Sequence, residues 1–182
     1  MSAPTAILLV SGSLRGGSSN SALLRTAAAL SVPGILTVFY RGMGELPHFN
    51  PDYDVPGEPL HPGVRDLRAQ LAASDAVLFS TPEYAGALPG SFKNLLDWLI
   101  GDGLPRSIYE KPVAWINASP RGAPNAHAEL RTVLGFAHAT IVDAACVHVP
   151  ITETMIGPDG LIADTAARDE LAEMFFQLLG DD

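Results

Sequence analysis

The chain predicts an α/β fold, a parallel sheet covered by helices on both faces. Short, continuous apolar runs alternate along the sequence with segments of helical period, and these runs read as strands buried on both sides. The second observation is composition: 182 residues, 47% hydrophobic and 17% charged, describe a globular chain long enough for a substantial core. We expect one domain over residues 1–182.

The first strand is AILLV at 6–10, and SNSALLRTAAAL at 19–30 is the first helix. LTVFY at 36–40 and AVLFS at 76–80 are strands two and three, with a helix at 63–73 between them. The Pro- and Gly-rich stretch at 47–62 is too short to separate domains and reads as a surface loop. The helix at 91–100 carries Phe92, Leu95, Leu96 and Leu99 at i, i+3, i+4 and i+7, and Gly101 is its expected stop. VAWIN at 113–117 is strand four, followed by a helix at 126–137. IVDAACVHV at 141–149 is expected as one long strand ended by Pro150, and Leu171, Met174, Phe175 and Leu178 mark a last helix at 164–179.

Several function classes are disfavoured. A formal net charge of -9 argues against nucleic acid and against an anionic membrane. The N-terminal apolar run is too short for a signal-peptide core or a membrane span. Cys146 is the only cysteine, so no intrachain disulfide exists, and a cytoplasmic location is expected. His48, His61, His127, His138 and His148 lack metal-ligand spacing, so no metal is expected. The chain has no G-x-S-x-G elbow.

In open α/β sheets ligands bind beyond the carboxyl ends of the strands. There the first strand runs into SGSLRGGSSN, which offers hydroxyls, bare backbone, the guanidinium of Arg15 and a helix N-terminus. This set suits a phosphate. Ser18 stands where a Walker loop has lysine, and Leu14 breaks the dinucleotide pattern, so a bound monophosphate fits better than a transferred one. A plain connection capped by Ser18, Ser19 or Asn20 is the alternative.

GSLRGGSSN and TPEYAGALPGSFKNLLDWL, together with YRGMGELPHFNPD after strand two, resemble the signatures of the NADPH-dependent FMN reductase family. That family is flavodoxin-like and includes quinone, azo-dye and chromate reductases. The resemblance implies a three-layer sandwich with a five-stranded parallel sheet ordered 2-1-3-4-5. It implies FMN as cofactor, NADPH or NADH as co-substrate and a small-molecule electron acceptor. Ser13, Arg15, Ser18, Ser19 and Asn20 would surround the FMN phosphate. Pro82, Glu83, Tyr84, Ala85 and Gly86 would border the isoalloxazine ring, which Ser119 would also approach. The flavin would carry the chemistry, with no catalytic side chain. A homodimer or homotetramer is implied, and the apolar helix from Phe92 to residue 100 is the expected contact face; Trp98 belongs either to the core or to that contact.

The chain departs from the family at Ala85, where Asn is common, and at Ala87, where Ser is frequent. After strand four it has Pro120-Arg121-Gly122-Ala123-Pro124 where the family is glycine-rich. Arg121 either meets a nicotinamide-nucleotide phosphate or is a solvated surface residue. The rival functions are a flavodoxin-like FMN electron carrier served by a separate reductase and a phosphate-binding regulatory domain without redox chemistry.

Overall fold

Successive residues of a strand face opposite sides of its sheet, so apolar strands with no polar face must be covered twice. The computed structural model, which describes residues 3–100 and 107–180, has that arrangement. In chain order the elements are β1 (Thr5–Ser11), α1 (Ser19–Ala29), β2 (Ile35–Phe39), α2 (Pro62–Ala72), β3 (Ala76–Ser80) and α3 (Gly90–Ile100). β4 (Pro112–Asn117), α4 (Pro124–Phe136), β5 (Thr140–Ile141), β6 (Val147–His148) and α5 (Thr165–Leu179) follow. The strands are parallel and ordered β2-β1-β3-β4-β5, with β6 also pairing with β4. This is the order that the resemblance implies.

One core joins Leu8, Val10, Val77, Phe79, Val113 and Trp115 to α2, α3 and α4. The other joins Ile7, Leu9, Leu78, Ala114 and Ile116 to α1 and α5. Each fully buried side chain of this size contributes roughly 1.5–3 kcal/mol of transfer free energy. The edge strand β2 instead alternates, and leaves Leu36 and Val38 exposed.

Two expectations change. The fifth strand is not continuous: Asp143–Ala145 forms a 3-10 turn between β5 and β6. Asp and Ala are poor strand formers, and the turn closes through Cys146 N–H to the Asp143 carbonyl at 3.1 Å. Pairing with β4 resumes at Ile116 and Asn117. Second, the apolar stripe of α3 is not a free contact face. Phe92, Leu95, Leu96, Trp98 and Leu99 are all buried in the chain's own core.

The 47–62 stretch is a surface loop, as expected, and it is pinned to the helices beneath it. Trp98 Nε1 and Asn94 Nδ2 donate to the Pro47 carbonyl at 2.8 and 2.9 Å, and Phe49 N–H donates to Asn94 Oδ1 at 2.7 Å. Arg68 adds a bidentate pair with Asp54 at 2.8 and 2.7 Å while also donating to the Trp98 carbonyl. The expected stop at Gly101 lies outside the described residues.

Candidate functional site

The carboxyl end of β1 lies against the start of the loop after β3, and Gly12 permits this. A Cβ at Gly12 would sit 2.4 Å from Thr81 Oγ1 and 2.9 Å from Phe92 Cδ1, so any side chain there forces the two loops apart. Beyond it, Ser13 N–H donates to Ser11 Oγ at 3.3 Å, and Arg15 N–H to Ser13 Oγ at 3.3 Å. Ser18 caps α1 by accepting from Ser21 N–H at 3.5 Å, and the first turn contains no acid. The N–H groups of Ser19 and Asn20 open the helix without intrahelical acceptors. Asn20 is anchored from below: its Oδ1 lies 2.9 Å from the Ser80 hydroxyl, which shares its proton with the Ile116 carbonyl at 2.7 Å. The Arg15 guanidinium is exposed and reaches Glu153 at 3.4 Å.

The loop after β3 has a different anchor. Tyr84 and Ala87 exchange backbone hydrogen bonds of 3.0 and 3.1 Å around Ala85 (φ 51) and Gly86 (φ 76). Two central residues with positive φ make a type I′ hairpin turn, for which Asn-Gly is the favoured pair. The family's Asn at the Ala85 position therefore has a backbone reason: Asn adopts this conformation more readily than Ala. Glu83 does not merely border the site. Its Oε2 accepts from Asn125 N–H at 2.8 Å and Ala126 N–H at 3.0 Å, which caps α4 from another loop. Leu88 N–H donates to Glu129 Oε2 at 2.8 Å, so the loop is tied to α4 twice.

The loop after β4 is held from beneath. Asn117 at the strand's end accepts from Ser119 N–H at 3.0 Å and donates its amide to the Gly122 carbonyl. His148 Nε2 lies 2.7 Å from the Ser119 carbonyl, and His127 Nδ1 lies 2.8 Å from the Ala123 carbonyl; both ring nitrogens must donate, because carbonyls only accept. Burial holds His127 below the usual histidine range; its bond to Ala123 opposes the shift, as does the charge of Glu83, while His148 adds to it.

These three loops enclose a cavity of about 540 Å³. Ser13, Arg15, Ser18, Ser19 and Asn20 line one end, Pro82, Glu83 and Tyr84 a side, and Ala118 to Arg121 with Ala123 and Pro124 the other wall. The structure thus brings together nine of the expected site residues, Ser119 included, whereas Ala85 and Gly86 form the turn tip outside the lining. The donor set at the α1 end suits a phosphate, and the volume lies in the range of small-molecule and cofactor sites. Sequence reasoning missed Asn117, His127 and His148 as supports of the loop. Asn117 alone had a readable signal, as the polar residue ending an apolar strand at its carboxyl end.

Residues 5–154 match the family model of NADPH-dependent FMN reductase. An NAD(P)H-dependent FMN reductase of Pseudomonas aeruginosa is 34% identical over 182 residues, covering 98% of this chain and 95% of its own. A quinone reductase of Pseudomonas putida is 30% identical, covering 100% and 94%. Among solved structures, a flavoenzyme NAD(P)H:(acceptor) oxidoreductase from Paracoccus denitrificans superposes with a TM-score of 0.79 at 26% identity, over 96% of this chain and 95% of that one. A flavodoxin variant of Pseudomonas aeruginosa, at TM-score 0.59 and 21% identity over 97% and 100% of the two chains, shares the fold. The chain therefore belongs to the NADPH-dependent FMN reductase family, as an oxidoreductase of flavodoxin-like fold with FMN as cofactor and NAD(P)H as co-substrate.

Proposed function

We propose that the chain is a two-electron reductase that takes hydride from NAD(P)H and passes the electrons to quinones, free flavin, azo compounds or similar acceptors. In this reading the two substrates use one open wall in turn, in ping-pong order. The observation that carries it is the cavity: an anion-ready helix end at one side, and at the other a wall bordered by Pro82, Glu83, Tyr84 and Ser119. No His, Cys or Lys is among its lining residues, and the carboxylate that is there, Glu83, accepts from two α4 N–H groups rather than from a lining serine.

Bound FMN would supply the two-electron chemistry, and the protein would supply position and electrostatics. Ser13, Arg15, Ser18, Ser19 and Asn20 would hold the phosphate through hydroxyls, a guanidinium and helix N–H groups. Pro82, Glu83, Tyr84 and Ser119 would border the ring, with Ala85 and Gly86 fixing the turn that presents Tyr84. Because Glu83 already accepts two α4 N–H groups, its role is to lock the ring-side wall rather than to move a proton.

The reading includes one FMN-binding unit, a homodimer or homotetramer and a cytoplasmic setting; the single cysteine supports the last. Among the described residues no helix is long and apolar enough to cross a membrane. The test is an anaerobic absorbance spectrum of gel-filtered, FMN-loaded protein before and after NADPH and NADH, followed by steady-state kinetics with a quinone. Rapid bleaching with parallel double-reciprocal plots is the expected result. Retained flavin that neither nucleotide bleaches would overturn the reading in favour of an electron carrier.

A further inference from the structure

We propose that Arg121 is a second anion site of this enzyme, which binds a phosphate of the nicotinamide nucleotide at the wall opposite the flavin phosphate. The inference rests on the reductase reading above and adds to it the residue that recognises the co-substrate.

Among the described residues, Arg15 and Arg121 are the only cations lining the cavity. Arg15 stands in the phosphate loop and already engages Glu153. The guanidinium of Arg121, on the loop after β4, makes no hydrogen bond or ion pair among the described residues; its backbone N–H alone is engaged, by Ser119 Oγ at 3.2 Å. Three arginines elsewhere are engaged: Arg68 by Asp54, Arg131 by Asp143 and Arg168 by the Ile162 carbonyl. A planar fork of donors held free in a ligand cavity is suited to a phosphate.

The helix end on this side cannot do the same work. The Glu83 carboxylate occupies the first N–H groups of α4 and places a negative charge there. Among the described residues that line this wall, Arg121 is the cationic side chain available to an anion.

The backbone that carries it is also preorganised. Asn117, His148 and His127 fix the carbonyls of Gly122, Ser119 and Ala123. Pro120 and Pro124 restrict the loop at both ends. Ala123 is kept at φ 41 directly after Gly122 at φ 84, a conformation a non-glycine residue holds only where its surroundings impose it. Ordering cost that a flexible glycine-rich loop meets on binding is already met here by folding.

Two phosphates of the nucleotide share the required chemistry, the adenosine 2′-phosphate of NADPH and the diphosphate common to NADPH and NADH. Calorimetric titration of FMN-loaded wild type, Arg121→Ala and Arg121→Lys with adenosine 2′,5′-bisphosphate and with ADP separates them. Loss of one charge-assisted contact predicts weakening on the order of ten- to a hundredfold in Arg121→Ala, partly restored by lysine. Loss confined to the 2′,5′-bisphosphate assigns the 2′-phosphate, and the ratio of KM for NADH to KM for NADPH should fall in parallel. Loss for ADP, with both KM values rising together, assigns the diphosphate. Unchanged affinity for both probes in Arg121→Ala, or no binding of either by the wild type, overturns the inference. If the wild type retains FMN that neither nucleotide reduces, the reductase reading itself has failed, which is a separate result.

Discussion

Two helix N-termini face the cavity, and they are finished differently. α1 has a neutral serine cap, an arginine three residues before it and no acid in its first turn. α4 has no cap of its own, because Ala123 supplies no side-chain acceptor; the Glu83 carboxylate from a loop 42 residues away closes it. Both ends carry the same partial positive charge. The first is left for a ligand and the second is spent on architecture. Of two helix ends suited to an anion, one is already closed by the chain's own carboxylate and the other is open to the cavity.

The largest expected effect breaks the α1 half. Arg15→Ala should weaken FMN binding on the order of ten- to a hundredfold, measured by fluorescence titration. The melting temperature of the FMN-free protein should hardly change, since the Arg15–Glu153 pair is exposed and such pairs contribute little. Unchanged FMN affinity would remove the phosphate role assigned to Arg15.

Breaking the α4 half should give the opposite pattern. Glu83→Ala leaves two helix donors without their acceptor and removes a charge that opposes the helix dipole, a loss of about 2 kcal/mol. For a chain of this size that lowers the melting temperature by roughly 4–8 °C, read by calorimetry on FMN-free protein. A stable variant that has lost FMN would show the carboxylate to be a ligand-facing group instead.

Ala85→Asn sharpens the comparison at the turn beside Glu83. Relief of the positive φ should gain about 1 kcal/mol, or roughly 2–4 °C, with FMN affinity little altered. Tighter FMN binding without a thermal gain would mean that Asn acts on the flavin and not on the turn.

The smallest effect is a pH dependence under the α4 loop. Burial lowers the pKa of His127, so the unfolded chain binds more protons than the folded one as the solution turns acid. Its contribution is complete above about pH 6.5, the ordinary histidine value, and is lost as pH falls through the lowered one. The fall in melting temperature from pH 7 to 5 should be shallower in His127→Phe than in wild type. Parallel curves would show that His127 does not titrate with folding.

Most of this architecture was legible because it rests on local patterns. The phosphate loop follows an apolar strand and opens a helix, and the stripe of α3 repeats at helical spacing. The sheet order, by contrast, came from a family resemblance and not from periodicity. Where the reading failed, the cause lies in contacts between distant segments. Residues 141–149 are apolar enough for one strand, but Asp143-Ala144-Ala145 turns where the chain must pack Ala145 beneath α5. The stripe of α3 looked fit for a partner because nothing in sequence tells which apolar face the chain's own strands will cover. The second role of Glu83, its bond to α4, was not legible because it depends on a tertiary approach. The exposed Tyr84 lines the cavity from a loop at a strand end, where binding residues concentrate.

The interrupted fifth strand also gives the sheet unequal margins. On that side two pairs of residues flank a 3-10 turn, so an incoming chain finds no unbroken row of backbone groups to match. The opposite margin, Ile35–Phe39, is five residues of ILTVF with no charge, proline or bulge, and two of its side chains point to solvent. A concentrated or partly refolded sample is accordingly most prone to self-association along residues 35–39. A lysine at Leu36 or Val38, where the side chain is already exposed, is the change that would keep such preparations dispersed.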